Sequence, residues 1–476
     1  MATSWKRPAT VALSMSVVLS LAPMLGSASA APGDPGTPRF TDGAPGVGDP
    51  YFPLAGNGGI DVQTYDLQVD YEPPAPGAEL VGQLHGRATI TLVPTQDLAS
   101  FHLDLRDLVV ESITVDGKRA RFTHENTELE ITPRPKLRDG QSAEVVIEYG
   151  GATGRPTDIE GALYGWVTTA DGAMVVSEPD GSPTWYPVND HPTDKATYTF
   201  EVTVPEGLVA VANGELVGQT TSGGRTTWSW DAPDPMASYL ATSTVGNFEL
   251  STTYAADGTP IIDAIDKDLD SSAYENLALT PAMMAFFSDR YGDYPFTTYG
   301  AIVDDDSVGY ALETQTRSFF SRVAREGTVA HELGHQWMGN QVSPQEWDDI
   351  WLNEGWATYS TWMWDEEQGR RTAQQAFEAV LARPADDDYW DVVVADPGAM
   401  NLFASAVYTR GAATLHAVRT RLGDDAFFDL AQTWVARYGG GTASTADFIA
   451  LAEEMSNQDL GDLFDAWIYA PERPSV

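Results

Sequence analysis

Cysteine is absent from this 476-residue chain. That excludes disulfides, a thiol nucleophile and thiolate metal sites together, so any metal must sit on His, Asp or Glu. Basic residues are scarce: 27 Lys and Arg face 69 Asp and Glu, a formal net charge of −42. Such a surface repels polyanions, which argues against nucleic acid or an anionic membrane as a partner. Long apolar runs are scarce too. Val11–Leu25 falls short of the roughly 20 residues that cross a bilayer and carries Pro23 near its end. Lys6 and Arg7 precede it and Ala28-Ser29-Ala30 follow it, the pattern of a signal peptide over residues 1–30 with a mature start near Ala31. The expectation is a secreted, extracellular protein with no membrane association after cleavage.

What is present suffices for real cores. A content of 42% hydrophobic and 11% aromatic residues is incompatible with a disordered chain. A length beyond about 250–300 residues points to two domains. Residues 31–50 are rich in Gly and Pro without periodicity and read as an extended leader. From 51 to 250, short runs such as Tyr65–Tyr71, Ala88–Val93, Val109–Val115 and Ala143–Tyr149 alternate apolar and polar residues between turn pairs such as Asp116-Gly117. This spacing predicts an all-β domain, a sandwich or saddle-shaped sheet. From 251 to 476 the pattern predicts helices over Ser272–Tyr291, Thr328–Met338, Asn353–Glu367, Ala406–Leu422, Asp425–Tyr438 and Thr445–Met455, with extended segments near Gly300–Val303 and Ala311–Phe320. The expected fold class is α+β and multidomain: an N-terminal β domain, then a mainly helical domain with a small sheet at its start.

The strongest chemical signal is His331-Glu332-Leu333-Gly334-His335. On a helix, positions i and i+4 share a face, so both imidazoles reach one metal ion. Glu332, one step round, can accept a proton from water beside that ion. The flanks Val329-Ala330 and Gln336-Trp337-Met338 suit a buried helix. Catalytic zinc takes three protein ligands, and Glu354, 18 intervening residues after His335, is the leading third candidate. Glu346, Asp348 and Asp349, in the connection, compete with it. Asp304-Asp305-Asp306 and Asp386-Asp387-Asp388 lack calcium-loop spacing and read as solvated loops. His85, His102, His124, His191 and His416 have no ligand spacing and read as structural. Trp337, Trp351, Trp356 and Trp362 read as core.

HELGHQWMGN followed by WLNEGWATY resembles the zinc aminopeptidases of the aminopeptidase N and leukotriene-hydrolase family, in the gluzincin clan. Pro187–Tyr198, Val202–Pro205, Asn213-Gly214 and Met236–Leu240 are similar to other family segments. The likeness spans about residues 60–476 and implies a short member without the large helical C-terminal domain of longer ones. It implies a thermolysin-like catalytic domain, one Zn²⁺ per chain on His331, His335 and Glu354, Glu332 as general base, and peptides as substrates. Val407–Ala412 resembles the family's Tyr-x-Lys-Gly segment with Arg410 for Lys, which implies Tyr408 as donor to a developing oxyanion. Tyr310-Ala311-Leu312-Glu313-Thr314 is the nearest match to Gly-x-Met-Glu-Asn, with Tyr310, Leu312 and Thr314 as departures. It implies that Glu313 holds a substrate's free amino group. Glu178, where the family often has Gln, implies a second carboxylate there. The activity implied is that of an aminopeptidase. An endopeptidase would use the same zinc apparatus without an amine-binding acid. A non-catalytic peptide-binding scaffold would have no need of His331, Glu332, His335, Glu354 and Tyr408 together.

Overall fold

Alternating side chains build the first half of the chain into sheets. Ile60–Glu72 and Gly82–Pro94 each run 13 residues, one face buried and the other largely open. They pair antiparallel at the centre of an eight-stranded sheet ordered Glu215–Ser222, Arg225–Met236, Ala196–Pro205, Ile60–Glu72, Gly82–Pro94, Ala143–Thr153, Val109–Val115 and Lys118–Arg119. Ala196–Pro205 runs parallel to Ile60–Glu72. A computed structural model of the chain describes residues 40–475; the predicted signal peptide and the first part of the leader lie outside the described residues. Two four-stranded sheets complete the β domain. One of them, Gly165–Thr168, Ala173–Val176, Ser243–Gly246 and Val209–Ala212, is buried on both faces. Its strands therefore need not alternate apolar and polar residues, which is why the sequence pattern passes over Ala173–Val176.

The second half opens on a five-stranded sheet: Phe248–Tyr254, Pro260–Asp266, Ala301–Asp304, Ser318–Ser321 and Ala311–Leu312. Seven helices of nine residues or more lie among the described residues: α1 Thr280–Tyr291, α2 Glu326–Gly334, α3 Trp351–Glu367, α4 Ala373–Leu381, α5 Ser405–Leu422, α6 Asp424–Tyr438 and α7 Thr445–Ser456. Trp337, Trp351 and Trp356 are fully buried among them. Among the described residues, no helix is long and apolar enough to cross a membrane.

Four local expectations are corrected. The segment Ser272–Tyr291 is not one helix: 3₁₀ turns at Ser271–Ala273 and Glu275–Leu279 precede α1. Pro281 at the start of α1 explains this, because it cannot donate a backbone N–H to a helix running through it. Ala311–Phe320 is not one extended segment but two antiparallel strands joined by a bend at residues 313–317, where Thr316 takes φ 63°. The zinc-motif helix stops at Gly334–His335, and the chain then turns toward Gly339 at φ 131°. Asp304 is not solvated. It ends a buried strand, accepts the Asp306 N–H at 2.9 Å, and burial pushes its carboxyl up to about 8.

Glycines let the site helices approach closely. A Cβ on Gly355 of α3 would lie 2.9 Å from the Gly411 carbonyl carbon of α5, and one on Gly334 of α2 would lie 2.7 Å from Ser360 Oγ of α3. Gly355→Ala gains about 1 kcal/mol of helix propensity. It also forces a methyl against backbone that cannot step aside. We expect a net loss of about 1–2 kcal/mol, read as a lower denaturation midpoint. A midpoint at or above wild type would mean that α3 and α5 have room to spare.

Candidate active site

Two neighbouring helices supply three convergent donor atoms. His331 lies in α2, His335 closes its last turn, and Glu354 lies in the first turn of α3. His331 Nε2 is 3.1 Å from Glu354 Oε2 and 3.1 Å from His335 Nε2, and His335 Nε2 is 3.5 Å from Glu354 Oε2. Donors about 2.0–2.1 Å from one ion at tetrahedral angles stand about 3.3–3.4 Å apart. The triangle would therefore hold zinc by three protein donors. His335 Nδ1 donates to the Met338 carbonyl at 3.2 Å, which would leave Nε2 to face a bound metal. The rival ligands stand elsewhere: Glu346 and Asp349 form a capping box, and Asp349 accepts the Thr445 N–H at 2.7 Å.

Carboxylates outnumber cations around this triangle. A cavity of about 580 Å³ is lined by His331, His335, Glu354, Glu332, Glu313, Glu178 and Tyr408, among others. The structure thus brings every residue of the expected site to one place. Glu332, Glu313 and His335 each offer an atom within 4.8 Å of the others. Burial pushes Glu332 and Glu178 well above the ordinary carboxylate range, with neighbouring glutamates adding to the effect. Burial also raises Glu313, against the pull of His335. Burial alone would raise Glu354 too, but the charge of His335 and hydrogen bonds from both imidazoles bring it down to about 2. Burial disfavours a charged His335, yet Glu313, Glu354 and Glu332 outweigh it and push it up to about 10. The imidazole is held as a cation because the cluster lacks positive charge, a deficit that a dication removes while displacing that proton. Glu178 Oε1 and Glu313 Oε1, both buried, have no hydrogen-bond partner among the described residues. Tyr408 stacks on His331 with ring centres 6.0 Å apart, and burial holds its hydroxyl protonated.

Several positioning residues carry no signal of their own in the sequence. Gln336 Nε2 and Asn340 Nδ2, in the turn after the second histidine, both donate to the Glu313 carbonyl, at 3.2 and 2.7 Å. Lys195 Nζ, from the β domain, donates to the carbonyls of Asn340 and Gln341 at 2.8 and 3.2 Å. Tyr239 accepts from Asn353 Nδ2 at 3.2 Å. The family-like segments around Lys195 and Tyr239 therefore act on the site by holding this turn and the start of α3. Arg410 does not touch the cavity. Its guanidinium donates to the carbonyls of Trp390, Val392, Ala466, Ala470 and Glu472, so it ties α5 to the C-terminal segment. Tyr310, in place of glycine, lines the cavity and donates from its hydroxyl to the Leu163 carbonyl at 2.7 Å.

A two-histidine helix whose third donor comes from the next helix, set behind a β domain, defines a gluzincin-type zinc metallopeptidase fold. The chain belongs to peptidase family M1: residues 62–240 match the Peptidase M1 N-terminal domain and residues 277–467 the Peptidase family M1 domain. It is similar to an M1 zinc metallopeptidase from Deinococcus radiodurans, at 30% identity and a TM-score of 0.82, over 90% of this chain and 99% of that one. A mutant of that enzyme bound to a Tyr-Ser-Ala substrate aligns with a TM-score of 0.83. Among curated relatives, the glutamyl aminopeptidase of Bos taurus is 27% identical over 322 residues, 61% of this chain and 33% of the relative. The leucyl aminopeptidase of Saccharolobus solfataricus is 22% identical over 452 residues, 88% and 54%. The chain thus spans between a third and about half of these curated relatives. Zinc is the cofactor this family and donor set call for.

Metal content tests the donor set directly. Glu354→Ala should leave well under one zinc per chain after dialysis, whereas Glu332→Gln should keep it. Full zinc in the Glu354 variant would move the third donor elsewhere.

Proposed function

We propose that this protein is a secreted zinc aminopeptidase that removes the first residue from peptides. The observation that carries the reading is the pair of buried carboxylates, Glu178 and Glu313, which share one cavity with the His331, His335 and Glu354 triangle and whose Oε1 atoms accept no hydrogen bond among the described residues. A free α-amino group is a cation, and a dry cleft accepts it only where carboxylates compensate its lost hydration. The pair also sets the register, because an amine held there leaves the first peptide bond facing the metal donors. A mutant relative bound to a Tyr-Ser-Ala substrate supports peptides as the ligand class. Export is part of the same reading and rests on the sequence pattern of residues 1–30.

Zinc, when bound, supplies Lewis acidity toward the scissile carbonyl and makes nearby water more acidic. Glu332 takes the proton from the attacking water and returns it to the departing amine. Its buried setting among other glutamates favours holding that proton between the two transfers. Tyr408 donates its O–H to the oxygen on which negative charge develops. Glu178 and Glu313 hold the amino group throughout, and Gln336 and Asn340 keep Glu313 in place.

Three measurements test this. Glu332→Gln should keep the fold and lower turnover by about 10²–10⁴. On a panel of free and N-acetylated peptides with products identified by mass, single residues should leave free N-termini, and acetylated peptides should be poor substrates. Glu313→Ala should cost about 2–4 kcal/mol in kcat/KM without loss of zinc. Equal cleavage of both peptide sets at internal bonds would establish the endopeptidase instead.

A further inference from the structure

We propose that the loop Gly154–Tyr164 makes the site selective for a cationic first residue: with the α-amino group on Glu178 and Glu313, an N-terminal arginine or lysine side chain lies among Asp158, Glu160 and the Phe403 ring. The proposal rests on the aminopeptidase reading above and adds the substrate class.

Asp158 and Glu160 line the same cavity as Glu178 and Glu313, and so does Phe403; among the described residues, no lysine or arginine lines it. Neither acid forms an ion pair among the described residues, while Arg155 of the same loop is turned to Asp306 at 3.9 Å and to the Thr168 carbonyl at 2.9 Å. The loop is preorganised. Asp158 Oδ1 accepts the N–H groups of Glu160 and Ala162 at 2.9 and 2.8 Å, which leaves Oδ2 uncommitted, and the Asp158 N–H donates to the Ala162 carbonyl at 2.9 Å. The Tyr310 hydroxyl pins the far side of the loop through Leu163. Tyrosine at that position is thus a fastening for an acidic loop.

The geometry assigns Asp158 to the amine end of the cavity. Asp158 and Glu160 border a small adjoining cleft together with Pro179, the residue that follows Glu178. Phe403, Ile159 and Leu402 border the same cleft. Tyr310, which fastens their loop at Leu163, stands three residues before Glu313 and lines the same cavity. Two carboxylates beside an aromatic ring at the wall of the larger cavity suit a side chain with an apolar stem and a charged planar head. The overall charge of −42 draws cationic peptides toward the cleft from a distance.

The test compares chromogenic amides of arginine, citrulline and leucine on the zinc-loaded wild type. Citrulline keeps the arginine shape without its charge. Because Asp158 and Glu160 are partly exposed, kcat/KM for arginine should exceed that for citrulline by about three- to tenfold, and the gap should narrow at high salt. Asp158→Asn with Glu160→Gln preserves the loop's hydrogen-bond acceptors and should collapse the arginine-to-citrulline ratio toward one. Equal rates on arginine and citrulline in the wild type, or an unchanged ratio in the double variant, overturns the proposal while the aminopeptidase reading stands. Failure to cleave any of the three free-amine substrates, with cleavage of N-blocked peptides, overturns both.

Discussion

The site depends on how closely three helices can approach. α3 meets α5 glycine against glycine, Gly355 on Gly411, and meets α2 through Gly334 on Ser360. A larger side chain at any of these positions would hold the helices apart. The donors of the metal triangle stand only 3.1–3.5 Å from one another, so a displacement of about one ångström would open it beyond the span of a single ion. Tyr408 is carried on α5, one turn before the crossing, and its distance from His331 is set by the same contact. The large aromatic core around α3, with Trp351 and Trp356 fully buried, surrounds this tight crossing with bulk that resists rearrangement.

A second constraint is electrostatic. Burying Glu178, Glu313, Glu332 and Glu354 together is unfavourable unless cations arrive. The protein alone answers by drawing a proton onto His335 and by pushing Glu332, Glu178 and Glu313 toward their neutral forms. A zinc ion and a substrate ammonium group would each favour the ionised carboxylates instead. The same logic extends outward to Asp158 and Glu160, so the acidity of the chain as a whole and that of its cleft point to one kind of ligand.

The β domain takes part through backbone contacts. Lys195 reaches across to two carbonyls of the turn after His335, and Asn340 and Gln336 in that turn grip the carbonyl of Glu313. A chain of hydrogen bonds therefore runs from the β domain to the residue proposed to hold the amine. Arg317 works in the same manner, donating to carbonyls at Ala212 and Gly214 on one side and Ile262 and Tyr299 on the other. Buried cations that saturate carbonyl groups hold position without needing a paired acid.

Much of this is legible in the amino-acid order, and the reason lies in local geometry. The helical period places His331 and His335 on one face wherever that helix sits, and the period of two in Tyr65–Tyr71 fixes a half-buried strand. Resemblance extends the reading to Glu354, Glu313, Glu178 and Tyr408, whose spacing alone is uninformative. What escapes is non-local. Ala173–Val176 belongs to a sheet buried on both faces and so lacks alternation. Arg410 replaces a family lysine, yet only the packing of the C-terminal segment reveals that it faces away from the cavity. Asp158 reads as one acid among many until the fold sets its loop beside Glu178. By itself the sequence determined the metal-binding helix and the strands with one solvated face, because neighbours along the chain decide those. Only the tertiary structure decided which carboxylates share a cavity, because that depends on contacts between segments far apart along the chain.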